Sequence, residues 1–197
     1  NEILEKALTE SQKTDIVHIR PFRRDLWGRF RHVEESDFSE SPATGVEKEI
    51  LLELAQKINN LPSDRKFFRK LEKLVEDRKR MVRENHIDWA MAELLAYATL
   101  LMEGHPVRIS GQDSVRGTFA HRHAGFTIED KDEIYFPLQH LDEKQAIFNI
   151  YNSPLNEYGV LGFEYGFSLG VPDGLTIWEA QFGDFSNVGQ VIIDQFI

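Results

Sequence analysis

Three short stretches carry residue types that could do chemistry. NSPLNEYGVLGFEYGFSLG (152–170) sets Glu157 just inside the start of an apolar, glycine-dotted helix. GQDSVRGTFAHRH (111–123) gathers Arg116, His121, Arg122 and His123 in one loop, and EAQFGDF (179–185) spaces Phe182 and Phe185 three apart. A carboxylate at a helix start can hold or share a proton. Arginine and histidine in one loop can bind an anion or shuttle a proton. Two phenylalanines can wall a pocket for an aromatic ligand. Each stretch also has an ordinary structural explanation. The helix dipole favours a first-turn glutamate by about 0.3–1 kcal/mol, and Glu164 further along falls under the same account. The histidines fit a surface or core-edge pair, and the phenylalanines fit a core.

Other patterns are weaker. No further ligands stand at metal-site spacing from His121 and His123, so no metal site is predicted in this chain. GQDSVRG has two glycines without phosphate-loop spacing. Residues 65–83, RKFFRKLEKLVEDRKRMVR, hold nine Lys/Arg against three Asp/Glu. No base-stacking aromatics interleave its basic side, so it reads as a solvated or docking face rather than a nucleic-acid surface. Gly162, Gly166 and Gly170 share one helical face. Each costs about 1 kcal/mol relative to Ala, which predicts close approach of another backbone, within the fold or across a dimer interface.

The elements that must position these residues follow from periodicity. Ile3, Leu4, Ala7 and Leu8 predict a short first helix, and residues 1 to 43 read as a linker that packs on something else. TGVE (44–47) has capping-box spacing before Ile50, Leu51, Leu54, Ala55 and Ile58. A second helix is expected from about Phe67 to Val82, on Phe67, Leu71, Leu74 and Val75. A third runs through DWAMAELLAYATLLMEG, capped by Asp88 and stopped at Gly104. PVRIS, IFNIYN and LTIWEA then read as strands separated or followed by helices, which argues an α/β fold: a parallel sheet with crossover helices. The loops after Ser110, Asn152 and Ala180 leave carboxyl ends of strands, where such sheets bind ligands.

Composition excludes several classes of function. The 197 residues are 41% hydrophobic and 28% charged, ordinary for a globular protein. A net charge of −10 disfavours nucleic acid and anionic membranes as partners. Without cysteine there is no disulfide or thiolate chemistry. No apolar run approaches a membrane span, and the first residues lack a signal-peptide pattern. The chain lacks an initiating Met, and VIIDQFI stops in mid-pattern, so an internal piece of a longer protein is expected.

Together, GQDSVRGTFAHRH, FNIYNSPLNEYGVLGFEYG and IWEAQFGDFSNVGQVIIDQFI strongly resemble the first, decarboxylating component of 2-oxoglutarate dehydrogenase complexes. IDWAMAELLAYATLLMEG and RRDLWGRF are similar to further parts of that family. The resemblance implies a helical linker (1–85) and the start of a transketolase-like pyrimidine-binding domain (86–197). It implies thiamine diphosphate as cofactor. Glu157 would bond a ring nitrogen of its aminopyrimidine, favouring the imino tautomer that activates the thiazolium carbon, and burial against the cofactor would raise its pKa. Phe185 would stack on the pyrimidine, with Phe182 supporting the wall. Some of Arg116, His121, Arg122 and His123 would serve the anionic substrate or the incoming lipoyl group. The parent would be a homodimer that decarboxylates 2-oxoglutarate, or 2-oxoadipate or another 2-oxo acid. It would pass the acyl unit to a lipoyl-bearing succinyltransferase, in bacterial cytoplasm or the mitochondrial matrix. Mg2+ and diphosphate would be bound by a domain absent from this chain, leaving the chain alone inactive. The competing expectation is a non-catalytic scaffold that kept the fold.

Overall fold

The computed structural model describes residues 1–13 and 23–197, so the first three residues of RPFRRDLWGRF lie outside the described part. Helix α1 (Glu2–Ser11) forms on its expected stripe and buries no residue. In the short helix α2 (Arg24–Trp27), the Trp27 indole N–H donates to the Leu169 carbonyl at 2.9 Å. Arg29 nearby pairs with Asp173. This part of the linker thus rests on the far end of the helix that begins at Glu157.

Helix α3 (Lys48–Ile58) buries Leu54, Ala55 and Ile58. The capping box does not form. The helix starts at Lys48, so Glu47 is the capping position rather than the third helical residue, and Thr44 lies outside it. Helix α4 (Arg69–Arg83) starts later than expected because Phe67 instead bridges Ile128 in an antiparallel pairing. Helix α5 (Trp89–Met102) follows its prediction. Asp88 Oδ1 accepts the Met91 N–H at 2.8 Å, and Gly104, at φ +90°, takes the left-handed turn that ends helices.

Strand β1 (Val107–Gly111) comes next, then a hairpin of two short strands, β2 (Phe126–Thr127) and β3 (Ile134–Tyr135), in a stretch to which the sequence assigns no element. Strand β4 (Phe148–Asn152), helix α6 (Glu157–Gly170), strand β5 (Leu175–Glu179) and helix α7 (Val188–Phe196) complete the chain. β1 is central in the order β4-β1-β5, and both pairings are parallel. This is the expected α/β sheet. The register sets Gly111 beside both Asn152 and Glu179, so the three carboxyl ends are level. α6 carries the chain from β4, across β1, to β5.

The core explains why the sheet is steady. Met91, Leu94, Ala98 and Leu101 of α5 cluster with Val107, Ile109, Phe148 and Ile150, and α3 joins the same cluster. A smaller cluster of Phe67, Val75, Phe126 and Ile128 seats α4 against the hairpin. The glycine face of α6 is only partly used. A Cβ on Gly162 would make ordinary contact with Ile192 of α7 at 3.5 Å, and a Cβ on Gly166 or Gly170 would meet nothing within 4 Å among the described residues. Close approach among the described residues therefore accounts for none of the three.

Candidate functional site

The three loops of interest are tied to one another at the carboxyl edge. The Ser153 N–H donates to the Gly111 carbonyl at 2.8 Å, and Asn152 Oδ1 accepts the Val115 N–H at 2.9 Å. Gln181 Nε2 donates to the Gln112 carbonyl at 2.7 Å. Gly111 permits this crowding: a Cβ there would sit 2.4 Å from the Glu179 carbonyl oxygen and 2.8 Å from Ser114 Oγ.

Glu157 is the first residue of α6 and is partly buried. The helix end does not need it as a cap, because Asn156 Oδ1 already accepts the Gly159 N–H at 2.9 Å. Among the described residues Glu157 makes no hydrogen bond or ion pair, so its carboxylate is uncommitted. Glu164, on the same helix, is the opposite. It is buried and receives both Arg108 Nε (2.7 Å) and Nη2 (2.9 Å). Arg108 in turn lies over the rings of Tyr151, Phe163 and Phe167, at 4.7–5.2 Å. Glu164 is thus a structural ion pair rather than a helix-end charge.

Phe182 and Phe185 are not core. Phe182 is 97% exposed and Phe185 54% exposed. β5 is an edge strand of the three-stranded sheet, and both phenylalanines lie in the turn beyond it. Phe182 also holds a left-handed backbone at φ +51°, unusual for an aromatic residue. Asp184 Oδ2 stabilises the turn by accepting the Gln181 N–H at 3.0 Å.

The basic loop is divided in its duties. Arg122 is 5% exposed; it donates to the Ser114 carbonyl at 2.8 Å and pairs with both Glu93 of α5 and Glu179 of β5. Burial alone would lower its pKa, but bonding to Glu93 and then Glu179 outweighs that and raises it. Arg122 is thereby committed to the interior instead of facing the edge. Arg116 stays half exposed, paired with Asp113. His121 packs on Gly117, with its Nδ1 buried and unpartnered. His123 has its pKa lowered by burial, then by Arg78, Arg116 and His121.

Sequence reasoning missed Arg78, Glu93 and the Arg108–Glu164 pair. Signals existed for two of them. Arg78 follows Leu71 and Val75 and precedes Val82 on the apolar stripe of α4, and Glu164 follows Val160 and Leu161 on the buried side of α6. An ionisable residue at an apolar-stripe position marks a buried charge with work to do. A cavity of about 630 Å³ between Gln139 and Asn149 lies at the amino end of β4, away from these loops.

The class follows from this frame. The family model described as transketolase, pyrimidine binding domain, matches residues 85–197, the part that holds the whole parallel sheet, and the chain belongs to that family. Individual relatives narrow the resemblance. The chain is 44% identical over 196 residues to "2-oxoglutarate dehydrogenase, mitochondrial" of Caenorhabditis elegans, covering 99% of this chain and 19% of that protein. It is 48% identical over 155 residues to the "2-oxoglutarate dehydrogenase E1 component" of a Geobacillus strain, covering 78% of this chain and 16% of that one. For the Rickettsia typhi E1 component the values are 50% over 155 residues, 78% and 17%. The chain thus spans less than a fifth of the length of these three relatives. The resemblance read from the motifs, to the decarboxylating component, is borne out.

Proposed function

We propose that this chain supplies the pyrimidine-binding side of a thiamine-diphosphate enzyme that decarboxylates 2-oxoglutarate. The enzyme would pass the succinyl unit to the lipoyl group of a succinyltransferase component, as a step of the tricarboxylic acid cycle. One observation carries the proposal: Glu157, uncommitted and partly buried, stands at the head of α6 on the carboxyl edge of a parallel sheet. An aminopyrimidine fits what surrounds that edge. It needs a carboxylate for a ring nitrogen and apolar surface for its ring, and Phe182 and Phe185 are exposed on the neighbouring loop.

When bound, the cofactor supplies an acidic thiazolium carbon and an electron sink for decarboxylation. The chain's own residues have simpler tasks. Glu157 holds a proton between its carboxylate and the pyrimidine nitrogen. Asn156 keeps the helix end closed, so that Glu157 is free to do so. Phe185 and Phe182 orient the ring and exclude water. Arg116, His121 and His123 present cationic or polar groups toward an anionic 2-oxo acid or the lipoyl group, and Arg122 holds their loop to β5. Diphosphate and Mg2+ fall to another domain and a second subunit of a homodimer, so the chain alone would be inactive. The location would be the cytoplasm of a bacterium or a mitochondrial matrix.

The test uses the whole polypeptide containing this chain, with thiamine diphosphate, Mg2+ and an artificial electron acceptor. Wild type should turn over 2-oxoglutarate, and Glu157→Gln should lose about a hundredfold or more. Equal turnover would remove Glu157 from the mechanism. Turnover of 2-oxoadipate instead would reassign the substrate, and failure to bind cofactor would favour a non-catalytic scaffold.

A further inference from the structure

The six non-glycine residues with positive φ among those described are not scattered at random. Asp113, Ala120, His123 and Phe182 lie in the loops that leave the carboxyl ends of β1 and β5; Arg23 and Asn85 lie elsewhere. Left-handed backbone is uncommon outside glycine; Asp and His tolerate it, whereas at Ala120 and Phe182 it is strained. It persists only where surrounding contacts dictate it, and such strain gathers at functional sites. Three of the four left-handed residues belong to the single loop 112–123, and that loop is held from outside.

The holder is on α4. Arg78 is 2% exposed, and no carboxylate pairs with it among the described residues. Its guanidinium instead donates to three successive carbonyls of the loop. Nη2 serves Arg122 in a short bond and His121 at 3.5 Å, and Nη1 serves His123 at 3.5 Å. Burial without a counter-charge lowers its pKa to about 10, against some help from Asp88. A buried arginine is a poor choice where only packing is needed, since an apolar residue of similar volume fills the space without desolvating a charge. The planar fork of donors is what a row of carbonyls requires.

We propose that Arg78 is a positioning residue for the carboxyl-edge loop, fixing the His121–His123 backbone so that the His121 and His123 side chains meet the substrate. Arg78 lies outside the span matched by the pyrimidine-domain family, so the preceding helical segment would be part of the working site. The inference rests on the function proposed above.

The experiment compares wild type, Arg78→Lys and Arg78→Met in the whole polypeptide. Three quantities are read: thiamine diphosphate affinity, kcat/KM for 2-oxoglutarate, and hydrogen exchange of amides 116–124 against those of β1, β4 and β5. In Arg78→Met, kcat/KM should fall about 10- to 100-fold while cofactor affinity stays within about threefold, because the loop is displaced and Glu157 is not. Exchange should accelerate in 116–124 and stay slow in the sheet. Arg78→Lys, with the charge but not the fork, should fall between. The proposal is overturned if Arg78→Lys matches wild type in both kcat/KM and loop exchange. It is also overturned if Arg78→Met folds and keeps its kcat/KM, or if loop and sheet lose protection together. Should Arg78→Met fail to fold, Arg78→Lys decides alone. Wild type without 2-oxo acid turnover would defeat the proposed function, while the exchange comparison would still judge the clamp.

Discussion

The two flanks of β1 are both fastened by arginine and glutamate, yet they are built on different principles. On the side beneath α6, one arginine meets one glutamate: Arg108 of β1 and Glu164 of α6 pair through two bonds, and aromatic rings cover the cation. On the β5 flank, Arg122 is shared between Glu93 and Glu179, and the backbone carrying it is gripped by a second arginine, Arg78, that pairs with no carboxylate among the described residues. The first flank is a local pair between a strand and the helix beside it. The second joins α4, α5, a loop and β5. The lesson is about which side can hold still by itself. Glu157 begins a helix anchored by a single pair within two turns of it, whereas the basic loop depends on residues of three other elements, α4, α5 and β5.

Breaking Arg122 should therefore do the most damage. Arg122→Met strands two largely buried carboxylates, and loss of one member of a buried pair costs about 3–5 kcal/mol. Native-state hydrogen exchange of the whole polypeptide should show that loss in β5 and in residues 112–124. If α6 loses as much protection as β5, the two flanks are one unit and the contrast fails. Glu164→Gln should cost less, about 1.5–3 kcal/mol, since a neutral amide keeps the shape and one acceptor for Arg108. Arg108 is also 17% exposed and keeps its rings, so its charge is not left bare. The exchange change should stay in α6 and β1. Its spread into residues 112–124 would blur the distinction between the flanks.

Much of this architecture is legible in the residues, for physical reasons that vary by element. The α5 helix has a good cap and an apolar run, and both features act locally, so Asp88 and Gly104 mark its ends. The three strands are short apolar runs bounded by turns. β2 and β3 escaped because two residues cannot show alternation, and their pairing is completed by Phe67–Ile128 contact across sixty residues of chain. TGVE misled because its spacing fits a cap one turn before the helix begins. Glu157 stood out by type and place, but its freedom from any partner among the described residues is visible only in three dimensions. Arg78 is the sharpest failure. It sits in the most basic stretch of the chain, and charge density alone argues for solvent. Only its register with Leu71, Val75 and Val82 points inward.

The smallest effect concerns acid. His123 belongs to the β5 flank, where the neighbouring positive groups are Arg78, Arg116 and, when charged, His121. Burial chiefly, then those charges, hold its folded pKa below the ordinary 6.5. Between the folded value and 6.5 an opened loop binds more protons than a closed one, so closure strengthens as pH rises through that window. The stabilisation is complete above 6.5 and is lost as pH falls toward the folded pKa. No histidine occurs between Phe148 and Gly170, so β4 and α6 have no matching response. Exchange of amides 116–124, corrected for intrinsic rates, should therefore accelerate relative to 157–170 as pH drops from about 7.5 to about 5.5. His123→Gln should remove most of that difference without altering α6. Equal loosening of both segments would mean that acid acts on the whole sheet, and the β5 flank would lose its claim to be the more electrostatically exposed of the two.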